Sequence, residues 1–406
     1  MEFERLQSRA AAHGFEFTRE AFDLHFSSIV FDLHIDPLIQ QCLFGYDLET
    51  AHEPGAWSGA APRGLGARLI QRAHRGNHRP LFNHTDLPRL RKGGYTGAAF
   101  GIHWWQRHPK IPGSSLLARN PWERIVRGQL KEFQRLITQG ALGFAGAPSD
   151  LREAHQRGTV AGFATLEGWH CLGLPAAGLT LQERLNRLRL ARDHHGVRCL
   201  TLNHHTPNDA CGNGWSMIEK DAIPDETLGL TDLGEEVSAA CSRLGLILDL
   251  SHTSRQGILD ACRVHQGPVV VSHGGASEAP GAPTEEQAVS HRLLDDACLR
   301  AVAATGGVIG LVFSPAYWNG RGDGSLDDLV GQARHIRDTV GPEHLALGSD
   351  FDGWITSIPK EMDDCRDLPL FTQRLLDGGF SSEETSALLG GNFLRVWEQV
   401  VAGRGK

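Results

Sequence analysis

The chain has 406 residues, of which 40% are hydrophobic and 22% charged, with a formal net charge of −8 at pH 7. This length and composition are typical of a globular protein that buries a large core. The acidic balance leaves no basic stripe to release counterions, so we expect no nucleic-acid partner. No run approaches the roughly 18 apolar residues of a membrane span, and we expect a cytoplasmic protein without a membrane partner.

Eight cysteines are scattered along the chain, and none forms a C-x-x-C pair. Several lie in apolar runs, as Cys199 does between Val197 and Leu202. A disulfide framework is typical of much smaller secreted domains. We therefore predict free, mostly buried thiols.

Short apolar runs alternate with longer amphipathic stretches through most of the chain. The predicted strands, in chain order, are residues 28–36, 97–105, 160–167, 197–204, 246–252, 268–273, 307–313 and 345–351. The predicted helices between them include residues 121–139, 181–194, 232–244, 254–263, 294–304 and 327–339. The helix predicted at residues 232–244 has a clear start signal, with Thr231 or Asp232 as its N-cap.

Eight strands in regular alternation with helices predict an α/β fold, a (β/α)₈ TIM barrel. A doubly wound open sheet is the alternative, but no G-x-G-x-x-G motif follows the first strand. The chain exceeds the roughly 250 residues of a bare barrel. We assign the surplus to an N-terminal extension, a long connection over residues 37–94, and C-terminal helices from residue 368. A single domain over residues 1–406, with its core at 28–400, accounts for this organisation.

Metal-ligand residues end five of the predicted strands, at the side of a barrel where the chemistry of this fold lies. The five segments are Phe31-Asp-Leu-His34-Ile-Asp36, Ala164-Thr-Leu-Glu167, Asp249-Leu-Ser-His252, Val270-Val-Ser-His273 and Gly348-Ser-Asp350-Phe-Asp352. Residues two apart on a strand face the same side, so His34 and Asp36 can bind one ion together. Six such groups exceed one tetrahedral site and favour two ions that share a carboxylate. A metal-activated water, and hence a hydrolase, is the leading hypothesis.

Several residues allow two interpretations. Glu167 ends an apolar strand and would be costly to bury alone, so either two metals or an arginine must compensate it. Asp350 and Asp352 face the same way along a strand, and either could be the functional carboxylate. His204 is predicted to face the site and His205 to face away from it. Five other histidines, at 74, 78, 84, 103 and 108, are predicted to be surface or supporting residues, although His84 or His103 could touch substrate.

The order of these motifs resembles the renal (membrane) dipeptidase family of zinc peptidases. The residues that carry the resemblance are His34-x-Asp36, Glu167-Gly, Leu202-Asn-His204, Leu250-Ser-His252, Ser272-His273, His291-Arg292-Leu-Leu-Asp295 and Gly348-Ser-Asp-Phe-Asp-Gly353. The resemblance covers about residues 28–400. It implies a barrel enzyme that hydrolyses the peptide bond of L-L, and also L-D, dipeptides.

The resemblance also implies roles for individual residues. It implies two Zn²⁺ ions per chain, with other divalent metals as alternatives. The implied ligands are His34 and Asp36 for the first ion, His252 and His273 for the second, and Glu167 as the bridge. Asp350 would move a proton between the attacking water and the leaving amine. His204 would contact the scissile carbonyl oxygen, and Arg292 would bind the substrate's C-terminal carboxylate.

Two departures from the family pattern affect the substrate. Leu293 follows Arg292 where the family commonly has Asn, and Tyr317 comes slightly later than the expected tyrosine. A second hypothesis is therefore a related binuclear amidohydrolase that trims a peptide-like natural product or opens a lactam or lactone. A third is a non-catalytic metal-binding barrel. Residues 53–79, rich in Gly, Ala, Arg and His, are predicted to form a loop near the site or a lid. By family analogy we expect a homodimer whose only other partner is a small peptide.

Overall fold

The computed structural model describes residues 1–53, 83–104, 122–173, 178–206, 208–214, 228–283, 292–320, 322–355 and 357–404. Within these ranges the strands form one nine-stranded parallel sheet. The strands are β1 Phe31–Ile35, β2 Gly97–Ile102, β3 Gly143–Phe144, β4 Ala161–Glu167, β5 Val197–Thr201, β6 Ile247–Asp249, β7 Val270–Gly274, β8 Val308–Leu311 and β9 Leu345–Leu347. Eight of them match the predicted strands, and β3 is an addition that pairs beside the start of β4.

The sheet closes into a barrel. Its strand order is β1-β2-β4-β5-β6-β7-β8-β9, and a bridge joins Ile35, at the end of β1, to Phe351, beyond β9. The main-chain N–H of Asp36 donates to the carbonyl of Phe351 at 2.8 Å, and that of Asp350 donates to the carbonyl of His34 at 3.1 Å. The predicted (β/α)₈ barrel is therefore confirmed, and the open-sheet alternative is wrong.

Helices cover the outside of the barrel and both chain ends. They are α1 Glu2–Ala12, α2 Arg19–Ser27, α3 Pro37–Phe44, α4 Leu87–Lys92, α5 Arg127–Thr138, α6 Pro148–Arg157, α7 Leu181–His195, α8 Asp232–Leu244, α9 Arg255–Val264, α10 Asp296–Ala304, α11 Pro315–Trp318, α12 Leu326–Val340, α13 Leu368–Asp377, α14 Ser382–Ser386 and α15 Asn392–Ala402. The hydroxyl of Thr231 accepts from the N–H of Gly234 at 3.1 Å, so Thr231 is the N-cap of α8. None of these described helices is long and apolar enough to cross a bilayer.

Aromatic side chains fill the bottom of the barrel. Phe31, the first residue of β1, stacks on Phe393 of α15 with 4.6 Å between ring centroids. Phe163 of β4 packs edge-on against Trp397 of the same helix at 5.1 Å. The last helix thus supplies apolar contacts at the end of the barrel opposite to the predicted site, where burial of such rings stabilises the closed sheet. All eight cysteines are free, as predicted.

A buried histidine joins the N-terminal extension to the rest of the fold. His25 of α2 has its Nδ1 at 2.7 Å from the hydroxyl of Thr372 in α13, and its Nε2 at 2.9 Å from the carbonyl of Gly93. The carbonyl can only accept, so Nε2 carries a proton. Burial lowers the pKa of His25 from 6.5 to about 4.

This pKa predicts an acid-dependent loss of stability. The unfolded chain binds a proton at His25 near pH 6.5 and the folded protein only near pH 4. The neutral ring therefore makes its full contribution to the free energy of unfolding above pH 6.5. This contribution is lost as the pH falls from 6.5 to about 4. We expect a loss of up to about 3 kcal/mol by pH 4, which His25→Gln should remove from the pH dependence of the unfolding free energy. His13→Gln, at an exposed site after α1, is the control and should follow the parent curve.

Candidate metal centre

The residues predicted for the site come together at the carboxyl ends of the strands. One buried cavity is lined by Asp36, His103, Glu167, His204, His205, His252, Arg292, Asp350, Gly353 and Trp354. His34 and His273 lie directly beside it, because their ring nitrogens contact Glu167 and His252. The structure thus places all eight residues that the sequence and the resemblance selected at one end of the barrel.

Two irregularities in the strands turn the histidines inward. The pairing of β1 with β2 shifts by one residue between Asp32 and Ile35, and the pairing of β7 with β8 shifts between Val271 and Gly274. An extra residue in a strand changes which side the following side chains face. His34 and His273 lie within these two irregular stretches and face the cavity rather than the surrounding helices.

The predicted first metal site brings an imidazole and two carboxylates together. His34 Nε2 lies 3.3 Å from Asp36 Oδ1 and 3.4 Å from Glu167 Oε1. These three residues form one of the groups whose donor atoms could hold a metal. Gly101 of β2 makes room for the carboxylate, because a Cβ at that position would overlap Asp36 Oδ1.

The predicted second metal site shares Glu167 with the first. His252 Nε2 lies 3.0 Å from Glu167 Oε1 and 3.0 Å from His273 Nε2. These three residues form a second group of possible ligands. Burial holds the pKa of His252 and of His273 well below 6.5, so both rings are neutral, which is the form that ligates metals. A common carboxylate between two donor sets is the arrangement that the sequence predicted.

Several buried donor atoms in this cluster have no hydrogen-bond partner among the described residues. They include His34 Nε2, Asp36 Oδ1 and Glu167 Oε2. Unsatisfied polar atoms in a protein interior cost free energy, and carboxylates cost the most. Burial raises the pKa of Glu167 to about 7, although His34 opposes this effect. Divalent cations would satisfy these atoms, so the residues present fit a pair of metal ions.

A buried carboxylate behind the cluster holds the ends of three strands together. Asp249 of β6 accepts hydrogen bonds from the hydroxyl of Thr201 at 2.7 Å, from the hydroxyl of Ser272 at 2.7 Å and from the N–H of Ser272 at 2.8 Å. The same Ser272 hydroxyl lies 2.8 Å from His273 Nδ1. This contact fixes the ring, so that Nε2 faces the cavity.

The structure separates the two aspartates after β9, which the sequence left as alternatives. β9 ends at Leu347, and both Asp350 (φ 61°) and Asp352 (φ 69°) adopt left-handed backbone conformations. The two side chains therefore do not face the same way. Asp350 lies with His34 and His273 in a third group of possible ligands. Asp352 accepts from the N–H groups of His84 and Thr85 at 2.8 and 3.1 Å, so it anchors the chain after the long connection.

Arg292 brings a buried positive charge to the same cavity. Its Cζ lies 4.9 Å from the ring centroid of Tyr317, and its Nη2 donates to the carbonyl of His273 at 3.5 Å. Its Nε has no hydrogen-bond partner among the described residues. A buried guanidinium with free donors is suited to bind a carboxylate. Tyr317, whose position departs from the family pattern, is thus the aromatic neighbour of this arginine.

The sequence interpretation was wrong for one histidine of the cavity, His205, and left the place of a second, His103, open. His205 was predicted to face away, but its ring lies 4.4 Å from that of His204 and 4.6 Å from that of His252. β5 ends at Thr201, so the alternation of a strand no longer applies there. His103 was predicted to be a surface or supporting residue that could touch substrate, within a strand predicted to continue to 105. β2 ends at Ile102, and this places His103 at a strand end, which is the signal that selected the proposed ligands.

Some predicted features lie outside the described residues. These are most of the loop predicted at residues 53–79, the histidines at 74, 78 and 108, and His291 of the motif around Arg292. His84 is described, and it is buried against Asp352 rather than open to the cavity.

A closed parallel barrel with imidazole and carboxylate side chains gathered at its strand ends is typical of metal-dependent hydrolases. The profile of the membrane dipeptidase family (peptidase family M19) matches residues 18–404. The chain therefore belongs to this family, and the enzyme class predicted from the sequence, a metallo-dipeptidase, is confirmed.

Individual relatives agree with this assignment. Dipeptidase aclJ of Aspergillus oryzae is 29% identical over 379 residues, which cover 90% of this chain and 80% of that protein. The crystal structure of the probable dipeptidase PvdM from Pseudomonas aeruginosa has a TM-score of 0.71 at 21% identity and covers 95% of this chain and 98% of that one. A metallo peptidase from Rhodobacter sphaeroides, liganded with a phosphinate mimic of L-Ala-D-Ala, has a TM-score of 0.65 at 21% identity, with 92% and 99% covered. The two structures share the fold of this chain.

Proposed function

We propose that the protein hydrolyses the peptide bond of L-L and L-D dipeptides with two Zn²⁺ ions. The ions would be held by His34 and Asp36 on one side and by His252 and His273 on the other, with Glu167 between them. The observation that carries the proposal is the shared position of Glu167 in two groups of metal donors. The mixture of imidazole and carboxylate donors supports zinc. When bound, such ions supply Lewis acidity and lower the pKa of the attacking water.

Asp350 is proposed to carry the proton during the reaction. Burial raises the pKa of Asp350 to about 8, although the nearby Arg292 opposes this effect. A carboxylate whose pKa lies near neutrality can take the proton of the attacking water and return it to the leaving amine nitrogen. Its place in the cavity, close to His34 and His273, supports this role.

His204 is proposed to stabilise the negative charge that develops on the carbonyl oxygen. Its ring is buried beside the donor cluster, with Nε2 at 3.3 Å from Glu167 Oε2. Burial holds its pKa well below 6.5, so the ring is neutral and keeps one N–H donor. A fixed donor in a dry cavity stabilises a developing oxyanion more strongly than water does.

Arg292 is proposed to limit the length of the substrate. A carboxylate bound to its guanidinium, close to the donor cluster, leaves space for one residue after the scissile bond. The relative that carries a dipeptide mimic in its crystal structure has the same fold, which supports a dipeptide here. The proposed enzyme would act as a homodimer in the cytoplasm, with small peptides as substrates.

Metal analysis and a dipeptide panel test this proposal. The purified protein should hold close to two divalent ions per chain and should release amino acids from simple L-L and L-D dipeptides. Removal of the ions with a chelator should abolish turnover, and zinc should restore it. A protein that binds two ions but cleaves only lactams, lactones or larger peptides would contradict the dipeptidase assignment.

We predict that Arg292→Ala discriminates between free and blocked substrates. The substitution removes the buried guanidinium and with it the proposed ion pair to the C-terminal carboxylate of the substrate. We therefore expect kcat/KM for free dipeptides to fall by about 10–100-fold, the loss that corresponds to a charged hydrogen bond of about 1.5–3 kcal/mol. C-terminally amidated dipeptides should show little additional loss relative to the parent enzyme. Equal losses on both substrates would contradict the carboxylate role.

A further inference from the structure

Two Ser-His pairs, Ser251-His252 and Ser272-His273, contain the histidines of the predicted second metal site. The serines of both pairs bind one buried carboxylate. Asp249 Oδ1 accepts from the main-chain N–H of Ser251 at 3.0 Å and from that of Ser272 at 2.8 Å. The Ser251 hydroxyl donates to the same oxygen at 3.0 Å and accepts from the N–H of His273 at 3.1 Å. Asp249 thus fixes the backbone directly before each histidine.

The other oxygen of Asp249 accepts from two hydroxyl groups. Those of Ser272 and Thr201 each donate to Oδ2 at 2.7 Å. Ser272 Oγ also lies 2.8 Å from His273 Nδ1. Two N–H groups and three hydroxyls therefore surround this carboxylate, which acts only as an acceptor. Since a hydroxyl has a single proton, that of Ser272 points to Asp249, and the contact with the ring requires a proton on His273 Nδ1.

This direction of the hydrogen bonds fixes the tautomer of His273. A neutral imidazole carries one proton, so a proton on Nδ1 leaves the lone pair on Nε2. Nε2 lies 3.0 Å from His252 Nε2 and 3.6 Å from Glu167 Oε1, so it faces the proposed second ion. Donation by the other ring nitrogen also makes the imidazole a more basic ligand. A proton on Nε2 would instead prevent binding through that atom.

We propose that Asp249 is a positioning residue that sets the tautomer of His273 through Ser272, and thereby the metal affinity of the second site. This inference rests on the proposed two-metal function, and it gives Asp249 and Ser272 a role beyond joining the strand ends. A carboxylate that only joined the strands could be replaced by a group with hydrogen bonds in the opposite direction. The direction of the hydrogen bonds is therefore the property to test.

Asp249→Asn reverses one hydrogen bond of this chain while keeping its shape. The two main-chain N–H groups at Oδ1 hold the amide oxygen there, so the amide nitrogen takes the place of Oδ2 and donates to Ser272 Oγ. The Ser272 hydroxyl then donates to His273 Nδ1, which leaves the ring proton on Nε2. With Co²⁺ in place of the native ions, we expect the affinity for one of the two ions, measured by competition with a chelator, to fall by about 100-fold. This is the upper end of the range for the partner of a metal-binding histidine. The visible spectrum of that ion should also change.

Ser272→Ala breaks the chain without imposing the wrong tautomer. We expect a loss of affinity of about 10-fold for the same ion. In the double variant Asp249→Asn/Ser272→Ala the reversed bond to the ring is absent, so its affinity should rise to that of Ser272→Ala. Recovery by a second substitution separates control of the tautomer from support of the fold, because two independent structural losses would add.

Thr201→Val is the matched control, because Thr201 makes a hydrogen bond of the same length to the same oxygen of Asp249. It should lower the unfolding temperature of the metal-free protein about as much as Ser272→Ala does, with the Co²⁺ affinity and spectrum of the parent. This pair of variants decides the question even if Asp249→Asn does not fold.

Three outcomes would overturn the inference: parent affinity in Ser272→Ala, an equal loss of affinity in Thr201→Val, or a double variant that binds no more tightly than Asp249→Asn. A parent protein that binds fewer than two ions would instead contradict the proposed two-metal function, and with it the inference.

Discussion

Asp350→Asn should retain both metal ions and lose turnover by about 10²–10⁴-fold, the range expected when a general acid–base group is removed. Asparagine has the same shape as aspartate but cannot carry the proton. The carboxylate is buried, and its pKa is raised to about 8 by burial against the field of Arg292. Turnover of an L-L dipeptide and the metal content of the same preparation measure both effects. An Asn variant that cleaves as fast as the parent would contradict the proton-transfer role.

Asp352→Asn is the matched control for this prediction, because the residue is two positions away in the same segment. Its carboxylate accepts from the N–H groups of His84 and Thr85, and not from groups of the cavity. The substitution removes charge-assisted hydrogen bonds in a buried position, so it should lower the free energy of unfolding by about 1–3 kcal/mol. The folded fraction should keep far more turnover than Asp350→Asn does. Similar losses of turnover in both variants would assign the role to the segment as a whole.

Gly101→Ala should remove the first metal ion with a single methyl group. A Cβ at this position would overlap Asp36 Oδ1 and lie 3.2 Å from His34 Cε1. Both neighbours belong to the proposed first site, and both are packed in the interior, where an added methyl group displaces side chains. We expect the metal content to fall from two ions to about one per chain. Turnover should fall by at least about 10²-fold, since an electrophilic contribution to the transition state is lost.

The control for Gly101→Ala is Gly128→Ala in α5. A Cβ at Gly128 meets no atom within 4 Å, so the variant should keep both ions. It should also stabilise the protein by up to about 1 kcal/mol, because alanine favours the helix over glycine. Metal analysis after dialysis and thermal unfolding compare the two variants. Two retained ions in Gly101→Ala would show that the carboxylate of Asp36 is not needed in its present place.

The order of the strands could be predicted because each is a short apolar run bounded by a helical pattern. Strands buried on both faces leave a continuous apolar signal that does not depend on distant parts of the chain. β3, with two residues, is too short to leave such a signal. The helices were predicted to within a few residues because their amphipathic period is also a local signal, as α8 at Asp232–Leu244 shows.

The residues proposed to bind the metals could be selected because most of them lie at the ends of strands whose apolar runs are easily recognised. His103 and His205 lie where the end of a strand is not marked in the sequence. β2 and β5 end before the predicted strands do, because the pairing with neighbouring strands ends there. The sequence pattern therefore does not indicate that His103 and His205 lie in the cavity. The choice between Asp350 and Asp352 depended on backbone conformations with positive φ, which no local pattern specified.

The sequence by itself predicted the barrel and the family and selected most of the residues that meet in the cavity, because these follow from local periodicity and from motifs that are contiguous in the chain. Only the tertiary structure decided which residues meet around Glu167, and it placed the shifts in β1 and β7 at His34 and His273 and the ring of His103 beside Glu167. The physical reason is that these features are set by contacts between strands distant in sequence, and a strand's pairing partner determines both where it ends and which way its last side chains face.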